Sequence, residues 1–286
     1  MVWPALLLLA LPARAQDPLL VNTADGPVRG GWRPAQNGSR YKSFQGIPFA
    51  APPVGALRFR APEPAPAWQG ELDASQDSEV QCTQYGFISD GPAEVSGSED
   101  CLYLSVYVPE GREGEQLPVM MWIFGGYFQA GGNQWWAYGA APWLQRDVII
   151  VQPNHRLGPF GFTSLGIEEA PGKTWILFYS VFTSVELVCQ GNQGLRDLVA
   201  ALKWIQVNIA EFGGNPDQVT IFGESSGSWA VSYLCLSPHA AGLFHRAILQ
   251  GGTQIFLTCA FNKILSKFRC NHTKNWVMGK NDKIQF

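Results

Sequence analysis

The sequence predicts an α/β fold, and three observations support this prediction. Short apolar runs separated by glycine- and proline-rich turns continue from residue 21 to about residue 250. Residues 195–212 carry apolar side chains at helical intervals and end at a Gly-Gly-Asn-Pro cluster, which stops helices. Residues 218–222 are typical of a buried strand, and residues 226–236 predict the helix that follows it.

Composition indicates one globular body. The chain has 286 residues, of which 46% are hydrophobic and 15% charged, so it can bury a large core. A net charge of −3 gives no electrostatic reason to bind nucleic acid, and the eleven tryptophans are spread along the chain. We expect no nucleic-acid partner, no cofactor and no metal.

The first fifteen residues predict a secretory signal peptide, residues 1–15. Residues 5–11 are apolar but too few to span a bilayer, and Ala13-Arg14-Ala15 has the form of a signal-peptidase site. A buried N-terminal strand is the alternative. Secretion would place the six cysteines in an oxidising compartment and would give the sequons at Asn37 and Asn271 a purpose, with Asn37 the expected glycosylation site.

The most informative motif is Gly-Glu-Ser-Ser-Gly at residues 223–227. A strand, this turn and a helix together present a serine hydroxyl for attack on an ester, which makes Ser225 the candidate nucleophile. A side chain at Gly223 or Gly227 would collide where the strand doubles back into the helix. The alternative is an ordinary strand end flanked by glycines.

Several blocks of the chain resemble the type-B carboxylesterases, a family that also includes cholinesterases, bile-salt-activated lipase and the non-catalytic neuroligins. The blocks are FQGIPFAAPPVG at residues 44–55, LRF at 57–59 and EDCLYLSVYVP at 99–109. The resemblance implies an α/β-hydrolase fold, with a mostly parallel central sheet flanked by helices and incomplete at the C-terminus. It also implies a Cys82–Cys101 disulfide, a pairing that counting cysteines leaves open.

The segment WIFGGYF at residues 122–128 is similar to the family's oxyanion loop. The resemblance implies that the backbone N–H groups of Gly126, Tyr127 and Ser226 stabilise the oxyanion formed in ester hydrolysis. The family usually has a third glycine where this chain has Tyr127. The N–H donor is retained, but the ring could narrow the acyl pocket or strain the loop. A plain glycine turn after a buried strand is the alternative.

Other titratable residues are given structural roles. By the resemblance, His155 supports the wall of the active site, and residues 243–248, which include His245, follow a structural pattern of the family. His239 and His245 flank the helix after the candidate nucleophile, and neither is expected to be the triad histidine. Asp197 stands near the start of a predicted helix, where a carboxylate favours capping. The resemblance implies that Glu224 is a buried carboxylate behind the nucleophile rather than the triad acid.

Two segments interrupt the resemblance. It covers residues 16–252 as a partial family domain, but residues 173–191 form an atypical insert and residues 253–286 a basic tail without a family counterpart. Both are interpreted as translated introns, and a functional lid is the alternative for the insert. Trp135, Trp136 and Tyr138 suit an apolar gorge, or are packing residues.

The triad is incomplete in this sequence. In this fold the acid and then the histidine follow the serine, but Asp282 is the one acidic residue after Ser225 and no histidine follows it. We expect a secreted hydrolase of small-molecule carboxylic esters whose chain as given is inactive, folds poorly and exposes a sheet edge beside the serine strand. The alternatives are a neuroligin-like binding protein, which needs no triad, and a mis-spliced product without function.

Overall fold

The computed structural model describes residues 17–35, 38–85, 94–134, 139–163 and 192–253, and the backbone of residues 276–279. The predicted signal peptide, Asn37, the three gorge aromatics, the insert and most of the tail lie outside the described residues.

Within these ranges the chain forms strands and helices in mixed order. The strands are β1 (Leu20–Thr23), β2 (Gly26–Arg29), β3 (Gly31–Pro34), β4 (Arg40–Pro48), β5 (Leu72–Asp73), β6 (Gln84–Tyr85), β7 (Val95–Ser96), β8 (Tyr103–Pro109), β9 (Leu117–Ile123), β10 (Ile149–Pro153), β11 (Gly214–Glu224), β12 (Arg246–Gln250) and β13 (Trp276–Gly279). The helices are α1 (Ala141–Leu144), α2 (Gly158–Phe162), α3 (Gln193–Asn208) and α4 (Ser226–Leu236). Short 3-10 turns cover Gly55–Leu57, Ile209–Phe212 and Pro238–Ala240.

The main sheet has a parallel centre and antiparallel flanks. Its order in the described residues is β13-β12-β11-β9-β10-β8-β4-β3. Strands β12, β11, β9 and β10 are parallel to one another, whereas β8, β4, β3 and β13 join by antiparallel pairing. Helices pack against this sheet, which confirms the predicted α/β class.

The two helices and the strand predicted from the sequence are present. α4 has the predicted bounds, and β11 contains the predicted strand 218–222. The helical spacing of residues 195–212 becomes α3 and the 3-10 turn after it, which Gly213 ends in a left-handed conformation with φ of 82°.

The core lies on both faces of the sheet. On β9 the side chains alternate, so that Val119, Met121 and Ile123 are buried in the main cluster against α3 and α4. β10 is buried throughout, and its Ile150 packs with Phe222 in a smaller cluster on the opposite face. β10 is buried along its whole length because both faces of the sheet are covered there, and it lies between β9 and β8.

The predicted edge beside the serine strand is wrong for the described residues. β11 lies between β9 and β12, and the backbone of β13, which belongs to the tail, pairs antiparallel with β12. Its register joins Leu249 to Trp276 and Arg246 to Gly279. Within the described residues β12 therefore occupies the position beside the serine strand where the sequence predicted unpaired backbone groups, and the tail adds a further strand next to β12.

The predicted capping role of Asp197 is also wrong. Asp197 is the fifth residue of α3, and its side chain is fully buried. Its carboxylate accepts two hydrogen bonds from the Arg156 guanidinium, at 2.8 and 2.7 Å, and a third from the Arg156 backbone N–H at 3.0 Å. The pair joins α3 to the segment after β10. The partner is distant in sequence, which is why position in the helix alone suggested a cap.

Substitution of Asp197 tests the contribution of this pair to stability. The Asp197→Ala variant leaves the Arg156 charge buried without its partner, which should lower the free energy of unfolding by about 3–5 kcal/mol. Glu99→Ala is the control, because Glu99 pairs with Arg58 at 2.7 Å on the surface and should cost no more than about 1 kcal/mol. Denaturant titration of both variants measures the difference. Equal losses would contradict a special role for the buried pair.

Candidate active site

Ser225 occupies a sharp turn between β11 and α4. Its backbone has φ of 55° and ψ of −126°, a conformation that costs free energy for a residue other than glycine. The surrounding backbone holds it there: the Ser225 N–H donates to the Gln250 carbonyl at 2.9 Å, and the Ser225 carbonyl accepts from the Trp229 N–H at 3.1 Å. The Ser225 side chain is half-buried, so a reactant can reach it.

The two motif glycines are required by close packing. A Cβ atom at Gly227 would lie 2.1 Å from the carbonyl oxygen of Ile123. A Cβ atom at Gly223 would lie 2.6 Å from the carbonyl carbon of Gly227. Both distances are too short for real contacts, which confirms the steric reason predicted for each glycine.

The glycine loop, residues 124–131 after β9, lies directly beside the serine turn. A Cβ atom at Gly125 would lie 3.0 Å from the Ser225 Cβ. The buried hydroxyl of Ser226 accepts a hydrogen bond from the Phe128 N–H at 3.2 Å, which ties the loop to the first residue of α4. The structure therefore brings together the segments that contain the predicted donors Gly126, Tyr127 and Ser226. Ser226 is also the first residue of α4, where backbone N–H groups point away from the helix.

Tyr127 differs from the glycine that the family usually has at this position. Its φ is 56°, so a non-glycine residue adopts a left-handed conformation in the loop. The side chain is 57% exposed, and its ring meets Trp229 edge to face with centroids 6.1 Å apart. The ring therefore stands at the rim of the site, against the largely buried indole of α4.

His155 packs against the first residue of the loop, Phe124. Its imidazole is buried and stacks on Phe124, the residue before Gly125, with ring centroids 4.5 Å apart and planes 7° from parallel. Nδ1 lies 3.1 Å from the Arg156 carbonyl. Burial lowers the pKa of His155 below its ordinary value of 6.5, because the charged form loses its hydration. These contacts confirm the structural role predicted for His155.

The other two described histidines lie away from Ser225. His245 Nδ1 accepts the Val219 N–H at 3.2 Å, at the middle of β11. Val219 and Ser225 are six positions apart along the strand, roughly 20 Å at about 3.3 Å per residue. His239 is exposed and follows α4, which extends about 15 Å at 1.5 Å per residue. Neither histidine reaches the serine, in agreement with the prediction.

The prediction that Glu224 is buried is wrong. The residue is exposed in the described structure, at the last position of β11. Its carboxylate flanks two glycines: a Cβ atom at Gly125 would lie 2.9 Å from Oε2, and one at Gly251 would lie 3.7 Å from Oε1. The carboxyl end of the sheet is open here among the described residues, so a negative charge adjoins the serine turn and faces solvent.

The structure joins Cys82 and Cys101 in a disulfide, the pair that the resemblance implied. Cys235, in α4, is unpaired among the described cysteines, and burial raises the pKa of its thiol to about 11. The described ranges contain no cluster of three or more acidic, histidine or cysteine side chains that could hold a metal ion. None of the described helices is both long and apolar enough to cross a membrane.

Sequence reasoning missed two residues that hold the Ser225 backbone, Gln250 and Trp229. Gln250 acts through its carbonyl group, so its side chain gave no signal. Trp229 lies four residues after Ser225 in α4, and its ring also packs near Phe128, with centroids 6.3 Å apart. The helical spacing from Ser225 was visible, but only the path of the loop after β9 shows what the indole contacts.

Comparison with known proteins places these features in a family. Residues 17–174 and 178–272 match the model of the carboxylesterase family. Carboxylesterase 3 of Homo sapiens is 43% identical over 266 residues, which cover 86% of this chain and 42% of that protein. Juvenile hormone esterase of Tribolium castaneum is 42% identical over 238 residues, covering 83% of this chain and 37% of that protein.

One solved structure is also similar to this chain, in fold and in sequence. The crystal structure of juvenile hormone esterase from Manduca sexta, with OTFP covalently attached, has a TM-score of 0.69 and 38% sequence identity. The similarity covers 82% of this chain and 41% of that one. The chain spans about two fifths of the length of the curated relatives it matches.

The buried His155 predicts a pH dependence of stability. Because its pKa is lowered in the folded state, the unfolded chain binds a proton near pH 6.5 that the folded chain does not bind. The contribution of His155 to the free energy of unfolding is therefore fully present above about pH 6.5. Below that pH it falls by up to about 1.4 kcal/mol per pH unit. The His155→Phe variant keeps a ring beside Phe124 and should show a shallower fall.

Denaturant unfolding between about pH 7.5 and pH 5 measures this slope. His239→Phe, which replaces an exposed histidine, is the matched control and should retain the wild-type profile. Parallel profiles for wild type and His155→Phe would show that His155 does not contribute to the fall.

Proposed function

The chain belongs to the carboxylesterase family and has its α/β-hydrolase fold, and we propose that its active form hydrolyses small-molecule carboxylic esters through an acyl-enzyme on Ser225. One observation carries the proposal. The strained Ser225 turn lies against the glycine loop after β9, as shown by the 3.0 Å approach of a Cβ at Gly125 to the Ser225 Cβ. A nucleophile and a set of backbone donors then face the same small volume.

The proposed chemistry uses these groups in two steps. The Ser225 Oγ attacks the ester carbonyl carbon and gives its proton to a base, while the carbonyl oxygen becomes an oxyanion held by the N–H groups of Gly126, Tyr127 and Ser226. The alcohol leaves with that proton, and water then attacks the acyl-serine and releases the acid. The covalent attachment of OTFP to the esterase from Manduca sexta supports a covalent step in this family.

Activity also requires a base and an acid. The 286 residues contain no acid followed by a histidine after Ser225, and the described histidines are too distant or stacked elsewhere. We therefore propose that this chain alone does not turn over esters, because removal of triad residues in serine hydrolases costs on the order of a million-fold in turnover. The histidine and the acid would come from a longer product.

The lack of a base near Ser225 among the described residues favours a second candidate, a binding protein of this fold that needs no triad. The retained serine turn and glycine loop argue against it, because binding does not require a strained nucleophile. A product without a folded function is the third candidate. Its support is that the match to the family model stops at residue 174, resumes at 178 and ends at 272. We propose that residues 173–191 and 253–286 are translated introns, within and after a partial family domain at 16–252.

We further propose that the protein is secreted. The Cys82–Cys101 disulfide supports this location, because structural disulfides persist in oxidising compartments. Residues 1–15 are the proposed signal peptide and Asn37 the proposed glycosylation site, and both would be visible by mass spectrometry of the secreted protein.

Labelling with a fluorophosphonate probe tests the nucleophile. The product of the complete transcript should be labelled on one serine, and Ser225→Ala should abolish labelling. Ser237→Ala, which changes a serine after the end of α4, is the control and should label like wild type. Secretion of a folded protein that is not labelled would favour the binding candidate, and failure of the chain to be secreted would favour the third.

Sequencing of transcripts tests the proposed introns. Most transcripts should read from the codon for Gly172 directly to that for Asn192, and peptides from residues 173–191 should be rare in the secreted protein. Uniform recovery of those peptides at the level of the neighbouring ones would reject the proposal and would favour a functional lid.

A further inference from the structure

The loop that contains the proposed oxyanion donors is held in an unfavourable backbone conformation. Gly126, Tyr127, Phe128 and Gly131 have φ of 115°, 56°, 59° and 117°. Two of the four are not glycine, and left-handed conformations of such residues persist where the surrounding structure enforces them. The loop therefore depends on contacts from outside it.

Gly131 sets the position of the start of the loop. A Cβ atom at Gly131 would lie 2.8 Å from the Gly125 carbonyl oxygen and 2.6 Å from the Phe124 ring. A Cβ atom at Gly126 would lie only 2.0 Å from the Ala130 carbonyl oxygen. The end of the loop thus packs directly on Gly125 and Gly126, so displacement of Gly131 moves the backbone that presents the donors.

The side chain of Gln84 holds Gly131 by both of its backbone polar groups. Gln84 Nε2 donates to the Gly131 carbonyl at 2.9 Å, and Gln84 Oε1 accepts the Gly131 N–H at 2.8 Å. A planar amide that makes both bonds fixes the orientation of the Gly131 backbone as well as its distance. Among the described residues, no other side chain is recorded in a hydrogen bond to Gly131.

Gln84 is itself anchored independently of the loop. It lies in β6, paired with Ser96 of β7, and Nε2 also donates to the Cys82 carbonyl at 3.1 Å. Two residues before it, Cys82 forms the disulfide with Cys101. The amide therefore projects from a small ribbon that is closed by a covalent bond and by backbone hydrogen bonds.

We infer that Gln84 is a positioning residue for the oxyanion loop, acting through Gly131 on the backbone N–H groups of Gly126 and Tyr127. The inference rests on the proposed function of Ser225, since the donors matter only if an oxyanion forms there. Gln84 does not touch the reacting atoms. Its loss should slow bond formation at Ser225 and leave the initial binding of reagent or substrate nearly unchanged.

The test uses Gln84→Met and a matched control, Gln206→Met. Gln206 Nε2 also bridges two backbone carbonyls, of Pro216 at 2.9 Å and Leu243 at 3.0 Å, but in α3 and away from the loop. The rate of phosphonylation of Ser225 should fall about 10-fold or more in Gln84→Met, since loss of one oxyanion donor costs about 10²–10³. Gln206→Met should stay within about two-fold of wild type, and the binding constant of the probe should be unchanged in both.

Hydrogen exchange of residues 124–131 in the 286-residue chain provides a measurement that needs no reaction. Faster exchange in Gln84→Met, with wild-type exchange in Gln206→Met, supports the positioning role even if Ser225 of the wild type is never labelled, an outcome that would reject only the proposed function. Wild-type exchange in Gln84→Met, or an unchanged phosphonylation rate in it, overturns the inference.

A second variant covers the case in which Gln84→Met does not fold. Gln84→Glu has nearly the same shape and keeps the acceptor for the Gly131 N–H, but it replaces the donor to the Gly131 carbonyl by a second acceptor. It should show the same direction of change in rate and exchange. Wild-type rate and exchange in Gln84→Glu would overturn the inference.

Discussion

The pairing of β9 with β11 is the constraint on which the site depends. The two strands are parallel, and their register sets Ile123 opposite Gly223. Both strands therefore end at the same edge of the sheet, and the loop after one meets the turn after the other. α4 begins so close to β9 that Gly227 packs on the Ile123 carbonyl, where a Cβ would lie 2.1 Å away. A slip of one residue in this register would separate the loop from Ser225 and turn every side chain of the strand to the other face.

Buried contacts of the segment after β10 also hold the glycine loop in position. His155 stacks under Phe124, and the next residue, Arg156, forms the buried pair with Asp197 of α3. An ion pair in the interior is costly to desolvate, so its geometry must be well satisfied, and here three hydrogen bonds meet one carboxylate. The segment after β10 thus connects α3 to Phe124, at the start of the glycine loop. Packing on one side and hydrogen bonding on the other restrict how the loop can move.

Local patterns in the sequence predicted what depends on neighbouring residues. The bounds of α4, the strand around residue 220 and the need for Gly223 and Gly227 all follow from short motifs. Contacts between distant residues have no such signal. The position of Asp197 near the start of a helix predicts a cap, and nothing local points to its partner Arg156, which lies 41 positions away. Gln84 gave no sign of its role, since it bonds to the backbone of Gly131, 47 positions away. Glu224 was placed in the interior by resemblance, whereas its exposure depends on what covers the end of β11.

The strain in the site is distributed between two segments that support each other. Ser225 needs a left-handed backbone to present its hydroxyl, and it is held by Gln250 and Trp229. The glycine loop also contains left-handed residues other than glycine, and it is held by Gly131 and by the Ser226 hydroxyl. Because Ser226 follows Ser225 directly, the hydrogen bond that its hydroxyl accepts from the Phe128 N–H couples the two strained turns. Relaxation of either turn would then displace the other, so a site of this kind tends to be either assembled with both turns in place or lost as a unit. The described residues contain the whole of this coupled pair, which explains how the Ser225 turn and the segment of the proposed donors can form together without a base nearby among the described residues.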